Sequence, residues 1–304
     1  MGRESGEAAR FFNGEIFMSV ILLLVVILAG QLESMTVRLY GRKNKEGGMF
    51  FNAIICAFAA LFFLITDKNG LCFPKELFIY SLVGVSATAT GFYAAYLAYK
   101  YGSFIVTNLI ASFSSVMVIT YGLAFLKEPI NIFGYMGIAM FFVSSILVNL
   151  KGNDGNEKKP FSVKWLVCAI LTAVSNGVLG IVMRSQQIKF NGAYDNEYMI
   201  LNSVGAAILL AVIGLITERD KIGSIIKKGF FYGAITGGLN GFKNLITFVI
   251  YLYIPIAVFT PLRAGLSFVT GFLISVIFYK EKFTKLQLLG ILFGVLSVVM
   301  FALR

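Results

Sequence analysis

Lys243, in the stretch LNGFKNLITF, stands inside a long apolar run, and so does Arg263 in VFTPLRAGL. A third charge, Glu33 in AGQLESMTVR, follows seventeen uncharged residues, 16–32. A charged side chain deep in hydrocarbon is costly, and a lysine stem there cannot comfortably reach the headgroups, so the charge must face protein, water or a ligand. Two cations at one depth repel each other, and an anion between them relieves the repulsion. The chemistry this points to is capture of a small anionic or zwitterionic molecule by Lys243 and Arg263. Asn240 and Asn244 share the neighbourhood of the lysine at helical spacing and are candidate ligands with it. The competing reading makes both cations structural, bonded to helix carbonyls or to a carboxylate such as Glu33. Glu33 either faces the same cavity, where it pairs with a cation or carries a coupling proton, or lies at the membrane interface.

Other chemistry is excluded by what is missing. The chain has no His, which removes imidazole ligands and His-based triads. Cys56, Cys72 and Cys168 lie apart without CxxC spacing, which favours neither a disulfide framework nor a zinc site. No Walker motif or nucleophile constellation is present. The expectation is a protein that is not an enzyme and needs no metal or cofactor. The net charge of +11 could suggest nucleic acid, but most Lys and Arg stand in short connections between apolar runs, where membrane topology accounts for them.

The elements that position these residues are membrane spans. Hydrophobic residues make up 58% of the chain and charged residues 13%, too apolar a balance for a water-soluble globule. Ten apolar segments follow one another, at 16–38, 49–66, 76–99, 102–126, 130–150, 163–184, 195–216, 229–253, 255–279 and 285–303. Each is about the ~20 residues that a helix needs to cross a bilayer. No signal peptide with a small-residue cleavage site is visible, so the first segment is expected to stay as an anchor.

One boundary is ambiguous: residues 244–262 are uncharged and could span by themselves, leaving Lys243 and Arg263 at the two surfaces. An internal repeat argues against this. Sliding the chain by 153 lays LKEPINIFGYMGIAMFFVSSILVNL (126–150) over YKEKFTKLQLLGILFGVLSVVMFAL (279–303). It matches Glu128 with Glu281, Gly137 with Gly290 and Ser144 with Ser297. The same offset pairs Thr107 with Thr260, Ser114 with Ser267 and Gly84 with Gly237. It puts Lys243 opposite Thr90 and Arg263 opposite Ile110, inside their helices. Residues 1–150 and 163–304 thus read as two five-helix units joined by a linker, 151–162. Because five is odd, the second unit must enter the membrane upside down. The expected fold is an all-α polytopic membrane protein of ten transmembrane helices arranged as two inverted repeats, with the site near the midplane between them.

Depth can be read from spacing. Lys243 lies about ten residues before the tight connection at Ile254 and Arg263 about nine after it. At ~1.5 Å per residue both come about 13 to 15 Å below one membrane face. Pro261 frees the carbonyl of Ala257 beside Arg263. On the third segment, TGFYAAYLAY offers Thr90, Tyr93, Tyr96 and Tyr99 at intervals of three, suited to packing and interface anchoring or to stacking on a substrate ring. Thr90 and Tyr93 join the candidate site. The small residues of GVSATATG (84–91) allow close helix approach, and the KEP and KEK turns read as topological.

Five plus five helices, each half ending in a KEP or KEK turn and a Gly-containing last helix, resemble the EamA-type carriers of the drug/metabolite transporter superfamily. The resemblance covers essentially the whole chain. It implies a central cavity between the halves and a substrate among amino acids, drugs, choline, sugars or phosphorylated metabolites. In the related triose-phosphate and nucleotide-sugar translocators, Lys or Arg of later helices holds the anionic substrate, which fits Lys243 and Arg263. GGLNGFKN (237–244) is loosely similar to the Gly, Asn and Lys combination of the sugar-nucleotide carriers. The small multidrug-resistance relatives use a first-helix glutamate, which implies proton coupling at Glu33.

The expected function is secondary transport of a small anionic or zwitterionic metabolite by alternating access. The alternatives are a proton-coupled exporter of amines or amphipathic drugs using Glu33 and, from another class, a channel or membrane scaffold. Expected partners are the small-molecule substrate, the lipid bilayer and a coupling proton or counter-substrate, with no nucleic acid. The expected location is a bacterial plasma membrane. Eight Lys and Arg fall on the side of the termini and sixteen opposite, so the positive-inside bias places the termini outside, whereas many EamA-type relatives have them inside.

Overall fold

The computed structural model describes residues 21–41, 48–67, 70–101, 107, 110–149, 162–279 and 284–303. Among them all regular structure is helical. The helices are α1 (Ile21–Gly41), α2 (Met49–Thr66), α3 (Lys75–Tyr101), α4 (Ser114–Ala124) and α5 (Ile132–Asn149). The second half contributes α6 (Val163–Lys189), α7 (Asp195–Thr217), α8 (Ile222–Tyr251), α9 (Ile256–Tyr279) and α10 (Lys285–Ala302). The expected linker lies outside the described residues except for Ser162.

Helix number agrees with the ten apolar segments, but membrane-crossing capacity is uneven. Six helices, α1, α2, α3, α6, α7 and α9, are long and apolar enough to span, while α4, α5 and α10 are apolar but shorter. α8 is the longest, at 30 residues, yet Asn240, Lys243 and Asn244 interrupt its apolar character. The ambiguous boundary is settled by the turn at 252–255. Lys243 lies within α8 and Arg263 within α9, with no helix running across 244–262. Pro255, which has no N–H of its own, presents its carbonyl to the amides of Val258 and Phe259 and starts α9.

The two halves interleave. α2 packs on α7 and α8, α3 on α6 and α7, α4 on α6 and α9, and α5 runs against α10. Contacts between α5 and α10 are reciprocal. A Cβ on Gly137 would press on the Phe301 ring at 2.9 Å, one on Gly290 would meet Val148 N at 2.8 Å, and Ser297 Oγ donates to Gly137 O at 2.8 Å. A central core of Val26, Ile27, Phe63, Leu77, Tyr198 and Ile250 draws on both halves.

The closest approach follows from a glycine stripe on α8. Gly229, Gly233, Gly237 and Gly241, four residues apart, all face α2. At Gly237 a Cβ would stand 2.5 Å from Ile55 O and 2.6 Å from Phe58 Cβ, and at Gly241 one would stand 2.6 Å from the Phe62 ring. Without side chains the backbones come into direct van der Waals contact, the main attraction open to helices that lipid already solvates. On α3, Gly84 makes the same kind of approach to Asn202 and Tyr198 of α7, and Gly91 to Ser175 of α6. These are the contacts expected of the GVSATATG stretch.

Gly237→Leu should therefore abolish a folded, monodisperse protein, because the obstructing atoms include backbone. The adjacent Gly238, with nothing within 4 Å of its hypothetical Cβ, should accept Ala with unchanged or slightly raised melting temperature. Size-exclusion profiles and melts in detergent compare the two, and a well-folded Gly237→Leu protein would contradict the packing.

Candidate functional site

The site is assembled where α1 reaches α8 and α9. Lys243 Nζ donates to Glu33 Oε2, and Asn240 Nδ2 donates to Glu33 Oε1 at 2.8 Å. Asn244 Nδ2 donates to Asn240 Oδ1 at 2.9 Å, so the lysine, both asparagines and the glutamate form one network. Helical spacing explains the alignment on α8, since Asn240 and Asn244 are four residues apart. Thr247 Oγ1 donates to the Lys243 carbonyl at 2.8 Å and remains part of the helix wall. Gly30 leaves room on α1 for the lysine stem, whose Cδ is 3.6 Å from where a Cβ would stand.

Two residues before Glu33, Gln31 faces the other way. Its Nε2 donates to Ser267 O of α9 at 3.0 Å. α1 thus holds α8 with Glu33 and α9 with Gln31, while α8 and α9 pack mainly on different partners. This separates Lys243 from a simple two-cation cradle: its ammonium already has an anion, the Glu33 carboxylate. The side chains of Lys243 and Glu33 keep 17% and 18% of their exposure, so the pair is sheltered but not sealed.

Arg263 differs. Its guanidinium carbon lies 5.7 Å from the Phe259 ring centroid, in cation–π range, and no carboxylate among the described residues lies within ion-pair distance of it. Lys243 and Glu33 thus offset each other, while Arg263 keeps its positive charge with an aromatic face as its partner among the described residues. Thr90 and Tyr93 are exposed on α3, and no hydrogen bond described for the Lys243 network reaches them. Tyr96 packs beside Met49, Ala53 and Leu210, the packing alternative for that tyrosine row.

Several contributors were missed by sequence reasoning. Gln31 and Ser267 carry no charge, and only the repeat match of Ser267 with Ser114 marked either. Glu128, read as part of a topological turn, instead has a buried carboxylate that accepts from Ile256 N at 3.0 Å and Ala257 N at 2.9 Å. Arg184, counted among surface charges, is a partly buried partner of that corner.

Breaking the pair on one side strands the other charge, and removing both does not. Lys243→Met and Glu33→Gln should each lower the melting temperature, and the double variant should recover part of the loss. A double-mutant cycle should give a coupling of about 1 to 3 kcal/mol. Additive shifts in detergent melts would show that the two side chains do not depend on each other.

Comparison with known proteins adds to this geometry. No curated protein matches the chain. A protein crystal structure superposes with a TM-score of 0.73 over 93% of this chain and 98% of its own, at 12% sequence identity, a likeness that shows the fold alone. A family model, described as the EamA-like transporter family, matches residues 163–303, the whole of α6 to α10. Residues 163–303 thus carry an EamA-like transporter unit, and the run of apolar, span-length helices makes this a multi-pass membrane protein.

Proposed function

We propose that the protein is a secondary carrier that moves a small anionic or zwitterionic metabolite by alternating access between two inverted five-helix repeats. The observation that carries this reading is that Glu33 neutralises Lys243, whereas Arg263 has an aromatic face and no carboxylate partner among the described residues. Arg263 attracts the anion first. A proton on Glu33 then weakens its hold on Lys243, and the substrate takes the place of the carboxylate on the ammonium. Asn240 and Asn244 supply neutral donors and acceptors beside it, and Thr90 and Tyr93 offer polar and aromatic surface from α3.

This sequence makes proton and anion binding mutually supportive, since each neutralises what the other leaves exposed. It also involves α1 directly, because Glu33 and Gln31 tie that helix to α8 and α9. Repeat-matched glycines support the inverted arrangement: Gly84 and Gly237 each face a helix of the opposite half, as do Gly137 and Gly290. The charge distribution favours termini outside in a bacterial plasma membrane.

The second reading, export of amines coupled to protons, has its own observation. The Glu33 carboxylate already accepts from two donors, and an ammonium substrate could replace Lys243 there. Charge separates the two readings: net positive charge favours the anion, and the amine requires Lys243 to leave. A channel would show flux that neither saturates nor exchanges.

Purified protein screened by thermal shift against carboxylates, phosphorylated metabolites, amino acids and amines should respond to an anionic class. Lys243→Met and Arg263→Gln should each weaken that ligand about ten- to a hundredfold, the loss of one charge-assisted contact of about 1.5 to 3 kcal/mol. Lys243→Arg should retain part of the binding. Full affinity in folded Lys243→Met and Arg263→Gln proteins would overturn the anion site. In proteoliposomes Glu33→Gln should remove the dependence of flux on a pH gradient, and unchanged dependence would take Glu33 out of the coupling.

A further inference from the structure

At the end of the bundle where α4, α6 and α8 finish and α7 and α9 begin, polar groups are buried in a place that apolar side chains could have filled. Glu128 spreads its two carboxylate oxygens over the first amides of α9. Arg184 of α6 donates from Nη1 to Tyr251 O, in the last turn of α8, at 2.7 Å and to Gln187 Oε1 at 2.9 Å. Its guanidinium also lies 5.6 Å from the Tyr251 ring centroid. An anion on a helix start and a cation on a helix end each match the local dipole. Together they grip the α8–α9 corner from both sides, one from the turn before α5 and the other from α6. Between themselves they are only loosely joined, with Arg184 Nη2 and Glu128 Oε1 3.8 Å apart. Gln187 Nε2 adds Phe248 O at 2.8 Å and Asp195 Oδ2 at 3.2 Å, and Gln186 Nε2 holds Asp195 Oδ1 at 2.8 Å.

We propose that Glu128 and Arg184 form a releasable clasp on the α8–α9 corner, and that opening it exposes the Lys243–Arg263 site to this end of the bundle. The inference rests on the carrier reading. Three features separate a clasp from a permanent seam. First, the bonds end on backbone at the corner, so the corner can leave as a unit while Glu128 and Arg184 stay with their own elements. Second, Arg184 Nε and Gln186 Oε1 are buried without hydrogen-bond partners among the described residues, so the closed arrangement leaves polar capacity unused. Third, the turn bearing Glu128 is itself held in an uncommon conformation, with Lys127 at φ 51°. A bistable corner is what alternating access requires, and both helices that leave it carry the candidate ligands.

The test measures the corner directly and needs no substrate. Spin labels at Phe125→Cys and Tyr253→Cys, both exposed in the structure, report the gap between the end of α4 and the corner in a Cys56→Ala, Cys72→Ser, Cys168→Ala background. Pulsed electron–electron distance measurements on the otherwise intact protein should give one short population. Glu128→Gln and Arg184→Gln should each raise a second, longer population about tenfold or more. Lys189→Gln, which breaks the exposed Lys189–Glu76 pair (3.2 Å) at the same end, should leave the distribution unchanged. A single short distance in the folded Glu128→Gln and Arg184→Gln proteins overturns the clasp, and so does equal opening by Lys189→Gln. If one clasp variant does not fold, the other decides. Flux in proteoliposomes separates the two claims: variants that open while the parent moves no solute defeat the carrier reading and leave the clasp standing.

Discussion

Backbone amides and charges inside hydrocarbon must find their partners within the protein, and most of this structure follows from how that need is met. Carboxylates from one half of the chain repeatedly satisfy helix starts in the other. Glu218, just past α7, accepts from Met49 N and Phe50 N at 3.0 Å each, and a Cβ at Gly48 would stand 1.5 Å from that carboxylate and displace it. Glu128 does the same for α9. Among the described residues, α10 caps itself locally through the reciprocal Thr284 and Gln287 bonds, and α5 does so through Asn131 Oδ1, which accepts from Gly134 N at 3.0 Å. Long-range capping thus couples the starts of α2 and α9 to the opposite half of the chain.

The same need governs the candidate site. A lone Lys243 on α8 would be intolerable in a dry bundle, and Glu33 makes it tolerable while binding α1 to α8. Arg263 is treated differently, with an aromatic face in place of a carboxylate. Two similar cations are thus treated unequally, one by a carboxylate and one by an aromatic ring.

How much of this was legible in the sequence depends on what each feature requires. Spans are written in apolar length, so the helix order and the position of Lys243 within α8 could be read directly. The insertion of α1 between α8 and α9 could not. It depends on packing across more than two hundred residues, and Gln31, which shows it, has no charge to draw attention. Glu128 was hidden for another reason: acid in a short polar turn looks like any solvated connection, and only the fold brings the start of α9 beneath it. The glycines of α8 at 229, 233, 237 and 241 were visible as letters, but their spacing acquires meaning only once α2 is known to lie against them.

That glycine seam has a mechanical consequence. Intimate contact along four turns joins α2 and α8 into a single stiff beam, whereas α9 leans on α4, α5 and α10. Rocking about the turn at 252–255 that keeps this contact would carry Lys243 together with α2 and displace it relative to Arg263. A solute held by both cations would feel that displacement as a change in the spacing of its two handholds. The chain could then loosen its cargo by geometry alone, without altering the charge of either side chain.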